Sequence, residues 1–425
     1  MARVILGVSA GIAAYKSASL LRLLREAGHR VRVIPTADAL RFVGEPTWAA
    51  LSGEPVATDV WTAVDEVAHV RLGQSADLVI VAPATADLLA RAAAGMSGDL
   101  LTATLLTARC PVVLAPAMHT EMWEHPATTA NVALLRKRGA IVIDPASGRL
   151  TGADTGPGRL PDPEELFAVV QALLARLIPA GNTVLAGNTV PAGNTVLAAG
   201  TVPAAASLAG RRVVISAGGT REELDPVRFL GNWSTGKQGY ALARSAALRG
   251  AEVTVVAANV ELPDPAGARV VRVVSARDMH AAMLAEAGIA DAVVMTAAVA
   301  DFRPVARSDS KIKKDGSQPD PIALTENPDI LHDLAGRRAR EGQEGQVVVG
   351  FAAETDPDPQ AAQAKLARKG CDLLVVNPVG NGRGFGSADN EAVVYSREGS
   401  QTPIPRGSKE ALAEVVWDLV AARLR

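Results

Sequence analysis

The stretch GNWSTGKQG, Gly231 to Gly239, contains most of a nucleotide-binding phosphate loop, the pattern G-x-x-x-x-G-K. A phosphate loop directly follows a strand and continues with a serine or threonine that binds Mg²⁺. Here Gln238 comes next, and about a dozen residues separate the stretch from the strand-like run RRVVISA. The sequence therefore predicts a different site, a glycine-rich turn that opens a helix from about Lys237 to Arg249. Asn232 is placed to hydrogen-bond an oxygen of a bound group, with an inert helix cap as the alternative.

A carboxylate and several lysines in the second half suit a site for a metal and a triphosphate. In AAVADFRPVARSDSKIKKDG, Asp301 is expected at the tip of an apolar strand. The polar loop that follows contains three lysines, Lys311, Lys313 and Lys314. A lysine run is usually only a solvated surface, but lysines beside such an aspartate can neutralise phosphate charge. Lys365 and Lys369 lie one turn apart on a predicted helix, and their shared face favours the phosphate-binding alternative.

The first half places small and hydroxyl residues where its predicted strands end, in GVSAG, PTADA, APATAD and APAMHTEMWEHP. Small residues at strand–helix junctions let a flat ring or a phosphate approach the backbone, and Ser9, Thr36 and Thr85 add hydroxyl donors. Tight strand–helix packing is the alternative. The sequence has no G-x-G-x-x-G motif of NAD sites, so a mononucleotide such as FMN, with one phosphate, fits better. His69 becomes a general-base candidate only beside a ligand, and a structural role is the alternative.

Uninterrupted apolar strands alternate with helical stretches in both halves, which indicates parallel sheets covered on both faces. The predicted fold class is therefore α/β, with two doubly wound, Rossmann-like domains joined by a flexible linker. Between them AGNTVLAGNTVPAGNTVLAAGTVP repeats every six residues. These copies are too few for a β-helix, so the segment is interpreted as a tether. The predicted boundaries are 1–178, a linker at 179–207, and 208–425.

Composition indicates a globular protein that acts on small molecules. The 425 residues have a net charge of −2 and no basic block, which argues against a nucleic-acid partner. The two cysteines, Cys110 and Cys371, cannot form a cysteine metal cluster and fit the reducing cytoplasm, where we expect the protein. No run of 18 apolar residues occurs, so no membrane span is predicted. The start, MARVILGVSAGIAAYKS, is expected to be strand, turn and helix rather than a signal peptide.

Together these motifs resemble the bifunctional bacterial phosphopantothenoylcysteine decarboxylase / phosphopantothenate–cysteine ligase family. The matching motifs of the first half are GVSAGIAAYKS, the His69 segment, APATADLLARAAAG, APAMHTEMW and GPGRL. Those of the second half are SAGGTREELDPVRFLGNWSTGKQG, AAVADFRP, KIKK, NPDIL and GFAAET. Their order and spacing cover nearly the whole chain outside the tether. The resemblance implies two consecutive steps of coenzyme A synthesis.

For the second half, the resemblance implies a ligase that uses CTP and Mg²⁺. It would convert 4′-phosphopantothenate into an acyl-cytidylate, from which the amine of cysteine displaces CMP. The residue matching Asn232 would contact this intermediate, and the one matching Lys311 would be needed to form it. The matched CTP-binding positions are Ala297, Asp301, Lys311, Pro328, Asp329, Ile330, Leu331, Phe351, Lys365 and Lys369.

For the first half, the resemblance implies a flavodoxin-like domain in which FMN oxidises the cysteinyl thiol to a thioaldehyde, which accepts the electrons released with CO₂. His69 matches the catalytic histidine of such decarboxylases. The matched FMN-binding positions are Ser9, Gly11, Ile12, Thr36, Ala84 and Thr85. The family's trimeric flavin contacts and dimeric ligase contacts would together give a larger homo-oligomer, such as a dodecamer.

Two residues depart from the family's pattern. His119 stands where the family usually has an asparagine that binds the substrate carboxylate, and Gly152 stands where its flap usually has a proton-donating cysteine. A proton donor is required, so we hypothesise that His119 or a bound water replaces the cysteine. One alternative is an active ligase whose flavin domain is only an oligomerisation scaffold. Another is an unrelated nucleotide enzyme, which the missing NAD motif and the rejected phosphate loop disfavour.

Overall fold

The computed structural model describes residues 1–58, 67–149, 154–177, 207–313, 321–380 and 389–424. The repeat tether, Gly152 and Lys314 lie outside these residues. The chain divides into two compact units, Met1–Ala204 and Ala205–Arg425, and the division falls within the predicted linker. In the described part of the chain, no helix has the length and apolar character needed to span a membrane.

The first unit alternates strands and helices as predicted. Its elements are β1 Arg3–Val8, α1 Ala14–Glu26, β2 Arg30–Pro35, a 3₁₀ turn Ala39–Arg41, α2 Glu45–Ser52, α3 Ala68–Ser75, β3 Leu78–Ala84, α4 Ala86–Ala94, α5 Leu100–Thr107, β4 Val112–Pro116, α6 Thr120–Trp123, α7 Pro126–Lys137, β5 Ile141–Val142, β6 Ala146–Arg149, β7 Thr155–Arg159 and α8 Pro163–Leu177.

The main sheet of this unit is parallel, with strand order β2-β1-β3-β4-β5. Every residue of β3 is buried, which explains its continuous apolar sequence LVIVAPA. The order reverses between β1 and β3, the position at which flavodoxin-like sheets bind their ligand beyond the carboxyl ends of the strands. Strands β6 and β7 form a separate antiparallel hairpin.

The second unit repeats the alternation. Its elements are β8 Arg212–Gly218, β9 Arg221–Glu223, β10 Phe229–Gly231, α9 Lys237–Leu248, β11 Glu252–Ala258, β12 Ala268–Val273, α10 Ala276–Ala287, β13 Ala292–Met295, β14 Phe302–Pro304, β15 Leu324–Glu326, α11 Ile330–Arg340, β16 Val347–Glu354, α12 Pro359–Lys369, β17 Leu373–Pro378, β18 Asp389–Ser396, β19 Gln401–Ser408 and α13 Lys409–Ala421.

Its main sheet has the order β12-β11-β8-β13-β16-β17-β18-β19. The strands from β12 to β17 are parallel in the Rossmann order, which reverses between β8 and β13. The antiparallel strands β18 and β19 were not predicted. Strand β19 is a mostly exposed edge strand that contains Pro403 and Pro405, so it lacks the apolar run that identified the other strands.

The predicted position of Asp301 is wrong in one respect. Strand β13 ends at Met295, and Asp301 lies beyond it, in the loop that leads to β14. The backbone of the intervening residues stays attached to the end of β8 and its following loop, whereas the pairing of β13 with β16 ends at Met295 and Gly350. Thr220 N donates to Ala298 O, and Ala298 N donates to Gly218 O.

Candidate active sites

In the first unit, Ser9 joins the ends of β1 and β3. Its hydroxyl donates to Pro83 O (2.8 Å) and accepts from Thr85 N (2.9 Å), and the residue is only 2% exposed. Both hydrogen bonds of the Ser9 hydroxyl are made within the protein in this structure, and donation from Ser9 to a ligand stays a prediction. Thr85 in turn caps α4 by accepting from Leu88 N, so Ser9 places Thr85 at the point where the strand order reverses.

The segment between β1 and α1 leaves room for a phosphate. Gly11 has a φ of +149°, and a Cβ built on it would meet no atom of the chain within 4 Å. Ile12 beside it is 69% exposed, and the thirteen-residue helix α1 starts two residues later. Open backbone before a helix start suits an anion, because unpaired amides and the helix dipole both favour negative charge. These features fit the phosphate of a mononucleotide.

His69 lies in the first turn of α3, and its ring carries an unsatisfied polar atom. The Nδ1 atom is buried and has no hydrogen-bond partner among the described residues. Thr107 on α5 fixes the backbone at this point by donating from Oγ1 to His69 O (2.7 Å). A Cβ on Gly73 would lie only 2.3 Å from the same Oγ1, so α3 and α5 are in close contact. Buried polar atoms are normally paired, so the free nitrogen indicates a missing partner.

His119 is exposed and directly precedes α6, where its side chain makes no capping hydrogen bond. The β6–β7 hairpin is attached to the same segment, because Met118 N donates to Gly158 O (3.0 Å) and Thr120 Oγ1 donates to Pro157 O (2.8 Å). The second strand of the hairpin, β7, is thus bonded to the residues on either side of His119. Its Gly152 position lies outside the described residues, so the replacement of the usual flap cysteine stays a prediction.

In the second unit, the two glycine-rich stretches that are separate in sequence meet at the end of β8. A Cβ on Gly219 would lie 2.7 Å from Asn232 O and 3.4 Å from the Cβ of Ser234. A Cβ on Gly239 would lie 2.6 Å from the Cβ of Ala217 and 3.0 Å from a β8 carbonyl oxygen. Both glycines are needed for this close approach. The start of α9 therefore lies at the strand-order reversal, which its sequence separation from β8 did not reveal.

Asn232 in this turn is already bonded within the protein. Its Nδ2 donates to Val299 O (2.9 Å), although one amide hydrogen and the side-chain oxygen remain for a ligand. The loop that contains Ala297 and Val299 is held by Ser216, whose Oγ accepts from Ala297 N (3.0 Å), and by Thr220, whose Oγ1 accepts from Ala300 N (3.0 Å). Ser216 and Thr220 were not predicted as site residues, because a single hydroxyl residue in or just after an apolar strand does not indicate a function by itself.

Asn327, another residue that was not predicted, connects the NPDIL segment to Asp301. Its backbone N donates to Asp301 O (2.8 Å), and its side chain donates to Ala300 O (2.8 Å). Pro328 and Asp329 follow at once, and Ile330 and Leu331 begin α11. The structure thus brings the predicted positions Asp301 and 328–331 together.

Leu331 connects this segment to β16, on which Phe351 is half-buried. A Cβ on Gly350, the residue before Phe351, would lie 2.6 Å from Leu331 Cδ2. The predicted positions of the NPDIL segment and Phe351 therefore lie on neighbouring elements.

Lys365 and Lys369, on α12, face the same region but are paired with carboxylates. Lys365 Nζ lies 2.7 Å from Glu354 Oε1, and Lys369 Nζ contacts Asp329 Oδ2. Burial alone would raise the pKa of Asp329, but hydrogen bonds from Lys369 and from the backbone of His332 outweigh it and hold the pKa below its ordinary value. A phosphate would have to compete with these carboxylates for the two ammonium groups.

Lys311 is exposed on a loop that a buried aspartate holds in place. Asp225 Oδ2 accepts from Ile312 N (3.2 Å), and Arg228, which is paired with Asp225, donates from Nη2 to Ile312 O (2.9 Å). The ion pair with Arg228 holds the pKa of Asp225 well below its usual range, so this carboxylate is charged. The arrangement fixes the backbone beside Lys311 and leaves the ammonium of that lysine exposed. Lys313 is also exposed, whereas Lys314 lies outside the described residues.

Gln238 has a structural role that accounts for its place in the sequence. Its Nε2 donates to Lys409 O (3.1 Å), and its Oε1 accepts from Asn390 Nδ2 (3.2 Å). The residue therefore joins α9 to β18 and to the start of α13. A serine or threonine, as in a phosphate loop, is too short to make both bonds.

The described residues contain no group of three or more His, Cys, Asp or Glu side chains that could hold a metal ion. They therefore offer no site at which side chains alone would bind a metal. Magnesium commonly binds through one or two carboxylates together with substrate phosphates. Asp301, exposed beside the loop from 296 to 300, is a carboxylate that fits such a site.

Profiles of two protein families match the chain. The family described as Flavoprotein matches residues 1–175, and the family described as DNA/pantothenate metabolism flavoprotein C-terminal domain matches residues 208–424. The chain is 54% identical over 429 residues to the "Coenzyme A biosynthesis bifunctional protein CoaBC" of Mycobacterium tuberculosis, covering 99% of this chain and 97% of that protein. Identity to the protein of the same name is 53% in Mycolicibacterium smegmatis (100% and 98% covered) and 40% in Vibrio cholerae (98% and 97% covered).

Proposed function

Because the chain belongs to the family of bifunctional coenzyme A biosynthesis proteins, we propose that its second unit is the phosphopantothenate–cysteine ligase and its first unit the phosphopantothenoylcysteine decarboxylase. The observation that carries this assignment is common to both units. In the first unit Ser9 and Thr85 follow β1 and β3, and in the second unit Ala297 follows β13, so matched residues lie beyond strands that flank the reversal of strand order. That edge is the ligand-binding position of open parallel sheets.

For the ligase, we propose that the carboxylate of 4′-phosphopantothenate attacks the α-phosphorus of CTP and releases pyrophosphate. The amine of cysteine then attacks the acyl carbon, forms the amide and releases CMP. A carboxylate accepts a nucleophile poorly until a phosphate leaving group is attached. Lys311 would neutralise the charge that develops on the departing phosphates, and Asn232 would use its remaining amide hydrogen on the acyl group.

The cytidine nucleotide would lie across the loops after β13 and β16. We propose that Ala297, Phe351 and residues 328–331 contact it, and that Lys365 and Lys369 exchange their carboxylate partners for its phosphates. Mg²⁺ would arrive with CTP and be held by phosphate oxygens together with Asp301. It would supply charge neutralisation at the transferred phosphorus.

For the decarboxylase, we propose that FMN is the flavin. Gly11, Ile12, Thr36, Ala84 and Thr85 would hold it, with Ser9 positioning Thr85. When bound, FMN supplies reversible two-electron oxidation and reduction. The buried, unpartnered Nδ1 of His69 supports a base at this site, because a substrate or cofactor group would satisfy it. His119, exposed beside the hairpin, would bind the carboxylate that is lost and stays a candidate proton donor, with a bound water as the alternative.

In the presence of CTP and Mg²⁺, the protein should convert 4′-phosphopantothenate and cysteine into 4′-phosphopantetheine and CO₂, with release of CMP and pyrophosphate, measured by mass spectrometry. Purified protein should also be yellow, with flavin absorbance that is lost on denaturation and washing. Accumulation of phosphopantothenoylcysteine by the unmodified chain would contradict the decarboxylase assignment and leave the first unit as a flavin-binding scaffold.

Variants assign each step to its unit. His69→Asn should accumulate phosphopantothenoylcysteine at an unchanged ligation rate. Lys311→Gln should make neither product, yet it should still decarboxylate phosphopantothenoylcysteine that is supplied directly. His119→Gln should slow only the decarboxylation, and an unchanged rate would exclude His119 as carboxylate ligand and proton donor.

We propose a cytoplasmic protein from its cysteine usage, and a homo-oligomer from the resemblance to the family. Size measurement of the purified chain by light scattering tests the assembly.

A further inference from the structure

Helices α9 and α13 start side by side and run parallel along the second unit. Gln238 in the first turn of α9 bonds Lys409 O at the start of α13. Further along, Ser245 Oγ donates to Glu414 Oε1 (2.6 Å), and Arg249 Nη1 donates to Asp418 Oδ1 (2.6 Å). Parallel helices bring their positive dipole ends together, and both ends lie at the sheet edge that holds the ligase residues.

Each helix begins with a lysine, the charge that is least favourable at a positive dipole end. Lys237 is the first residue of α9, which has no acidic residue in its first turn and no side-chain cap. Lys409 is the first residue of α13, and it is only 6% exposed. Neither ammonium has a hydrogen-bond or ion-pair partner among the described residues. Most of the Lys409 residue is buried, which reduces the hydration of its ammonium, and this is costly when no partner replaces the lost water.

The carboxylates near Lys409 are engaged elsewhere. Glu410 Oε1 lies 3.4 Å from Arg244 Nη2, and Asp389 Oδ2 lies 3.6 Å from Arg406 Nε. Burial lowers the pKa of Lys409, and the charge of Lys237 lowers it further, whereas Glu410 and Asp389 raise it without compensating fully. The two lysines therefore repel each other in the absence of an anion.

We propose that Lys237 and Lys409 form a phosphate-binding pair at the adjoining starts of α9 and α13. An anion between them would accept from both ammonium groups and from the amides of the first turn of α9, and it would remove their mutual repulsion. Gly239 holds this helix start against β8, and a Cβ placed on that glycine would lie only 2.8 Å from Thr296 Oγ1. The pair therefore adjoins the loop after β13.

The subsite rests on the proposed ligase function, in which both the nucleotide and 4′-phosphopantothenate bring phosphate. The test uses the full chain as wild type, Lys409→Met, Lys409→Arg and Lys237→Met. Lys137→Met, at an exposed lysine of α7 in the first unit, is the matched control. Thermal unfolding is measured with and without inorganic pyrophosphate. Ligation is measured with varied CTP, and with 4′-phosphopantothenate compared with pantothenate.

In the absence of ligand, Lys409→Met should unfold at the same temperature as the wild type or higher, because it removes an unpaired ammonium from a largely buried residue. Pyrophosphate should raise the unfolding temperature of the wild type and of Lys137→Met by similar amounts. The rise should be much smaller for Lys409→Met and intermediate for Lys409→Arg. The KM for CTP should rise about tenfold if the pair binds the triphosphate. The preference for 4′-phosphopantothenate over pantothenate should fall by about as much if it binds the substrate's phosphate.

Unchanged kinetics and an unchanged pyrophosphate effect in Lys237→Met and Lys409→Met would overturn the proposal. So would a Lys409→Met protein that is less stable and loses only kcat, because that result would assign the lysine a structural role. If the wild type shows no CTP-dependent ligation, the proposed function fails, and the pyrophosphate shift still decides whether the anion subsite exists.

Discussion

Replacing Gly239 with alanine should displace the start of α9, although alanine favours the helix itself more than glycine does. The added Cβ would lie 2.6 Å from the Cβ of Ala217, 2.8 Å from Thr296 Oγ1 and 3.0 Å from Ser216 O. Two of these neighbours belong to the backbone or to the first side-chain atom of a buried strand, so they cannot turn away. The start of α9 must therefore move away from β8 and β13.

Two effects of opposite sign determine the stability of Gly239→Ala. Alanine is favoured over glycine inside a helix by about 1 kcal/mol. Overpacking of a close contact typically costs about 1–3 kcal/mol. Because three contacts fall below normal separation at once, the overpacking cost should exceed the propensity gain, for a net loss of up to about 2 kcal/mol. For a unit of this size, that loss lowers the unfolding temperature by roughly 2–4 °C per kcal/mol.

The matched control is Gly336→Ala, in the middle of α11. Its added Cβ would meet only Arg340 Nη1, at 3.3 Å, the far end of a flexible side chain. This variant should therefore gain about 0.5–1 kcal/mol from helix propensity alone. Thermal unfolding of both variants, followed by calorimetry, measures the difference in sign.

The assay compares ligation with decarboxylation of supplied phosphopantothenoylcysteine. A shift of the α9 start by even part of an ångström should reduce the ligation kcat/KM by roughly tenfold or more, since misplacement by about 1 Å can cost a hundredfold. Decarboxylation should be unchanged. The reasoning would be refuted if Gly239→Ala were as stable as Gly336→Ala and ligated at the wild-type rate.

Three further predictions concern residues that hold the sites in place. Gly73→Ala should push α3 away from α5 and slow decarboxylation without affecting ligation, and equal slowing of both would contradict this. Asp225→Asn should lower the ligation rate by roughly tenfold, because the loop beside Lys311 is no longer held by a charged carboxylate. An effect confined to the KM for cysteine would contradict this explanation. For Asp329, burial raises the pKa but the hydrogen bond from Lys369 lowers it more, so the stabilisation is present above about pH 4 and lost as pH falls through the lowered pKa. Asp329→Asn should therefore be less stable than the wild type at pH 6, with a difference that shrinks below about pH 4 in denaturant titrations.

The α/β fold class followed directly from the sequence, because strands buried on both faces need continuous apolar runs. The runs at Val4, Leu78 and Val213 lie in central strands of their sheets, as the pattern predicted. The edge strand β19 was not predicted, because most of its side chains are exposed and it therefore needs no continuous apolar run. An apolar sequence pattern therefore identifies a strand only where burial of the strand requires apolar residues.

The rejection of a phosphate loop also needed only the sequence, and the structure explains it through Gln238. Its two bonds to Lys409 and Asn390 require an amide of that length. The roles assigned to His69, Asn232 and the cytidine-binding positions stay predictions until the variants are assayed.

Which distant residues meet was decided only by the tertiary structure. Asn232 contacts the backbone of Val299, and Asn327 joins Asp301 to the start of α11, although nothing in their local sequences specifies a partner. The bond from Gln238 to Lys409 O joins residues that span most of the second unit, and it depends on two helices starting at the same edge of one sheet. Local sequence encodes whether a segment is buried and how its backbone turns. Neighbours across the sheet depend on strand order, which is set by the packing of the whole unit.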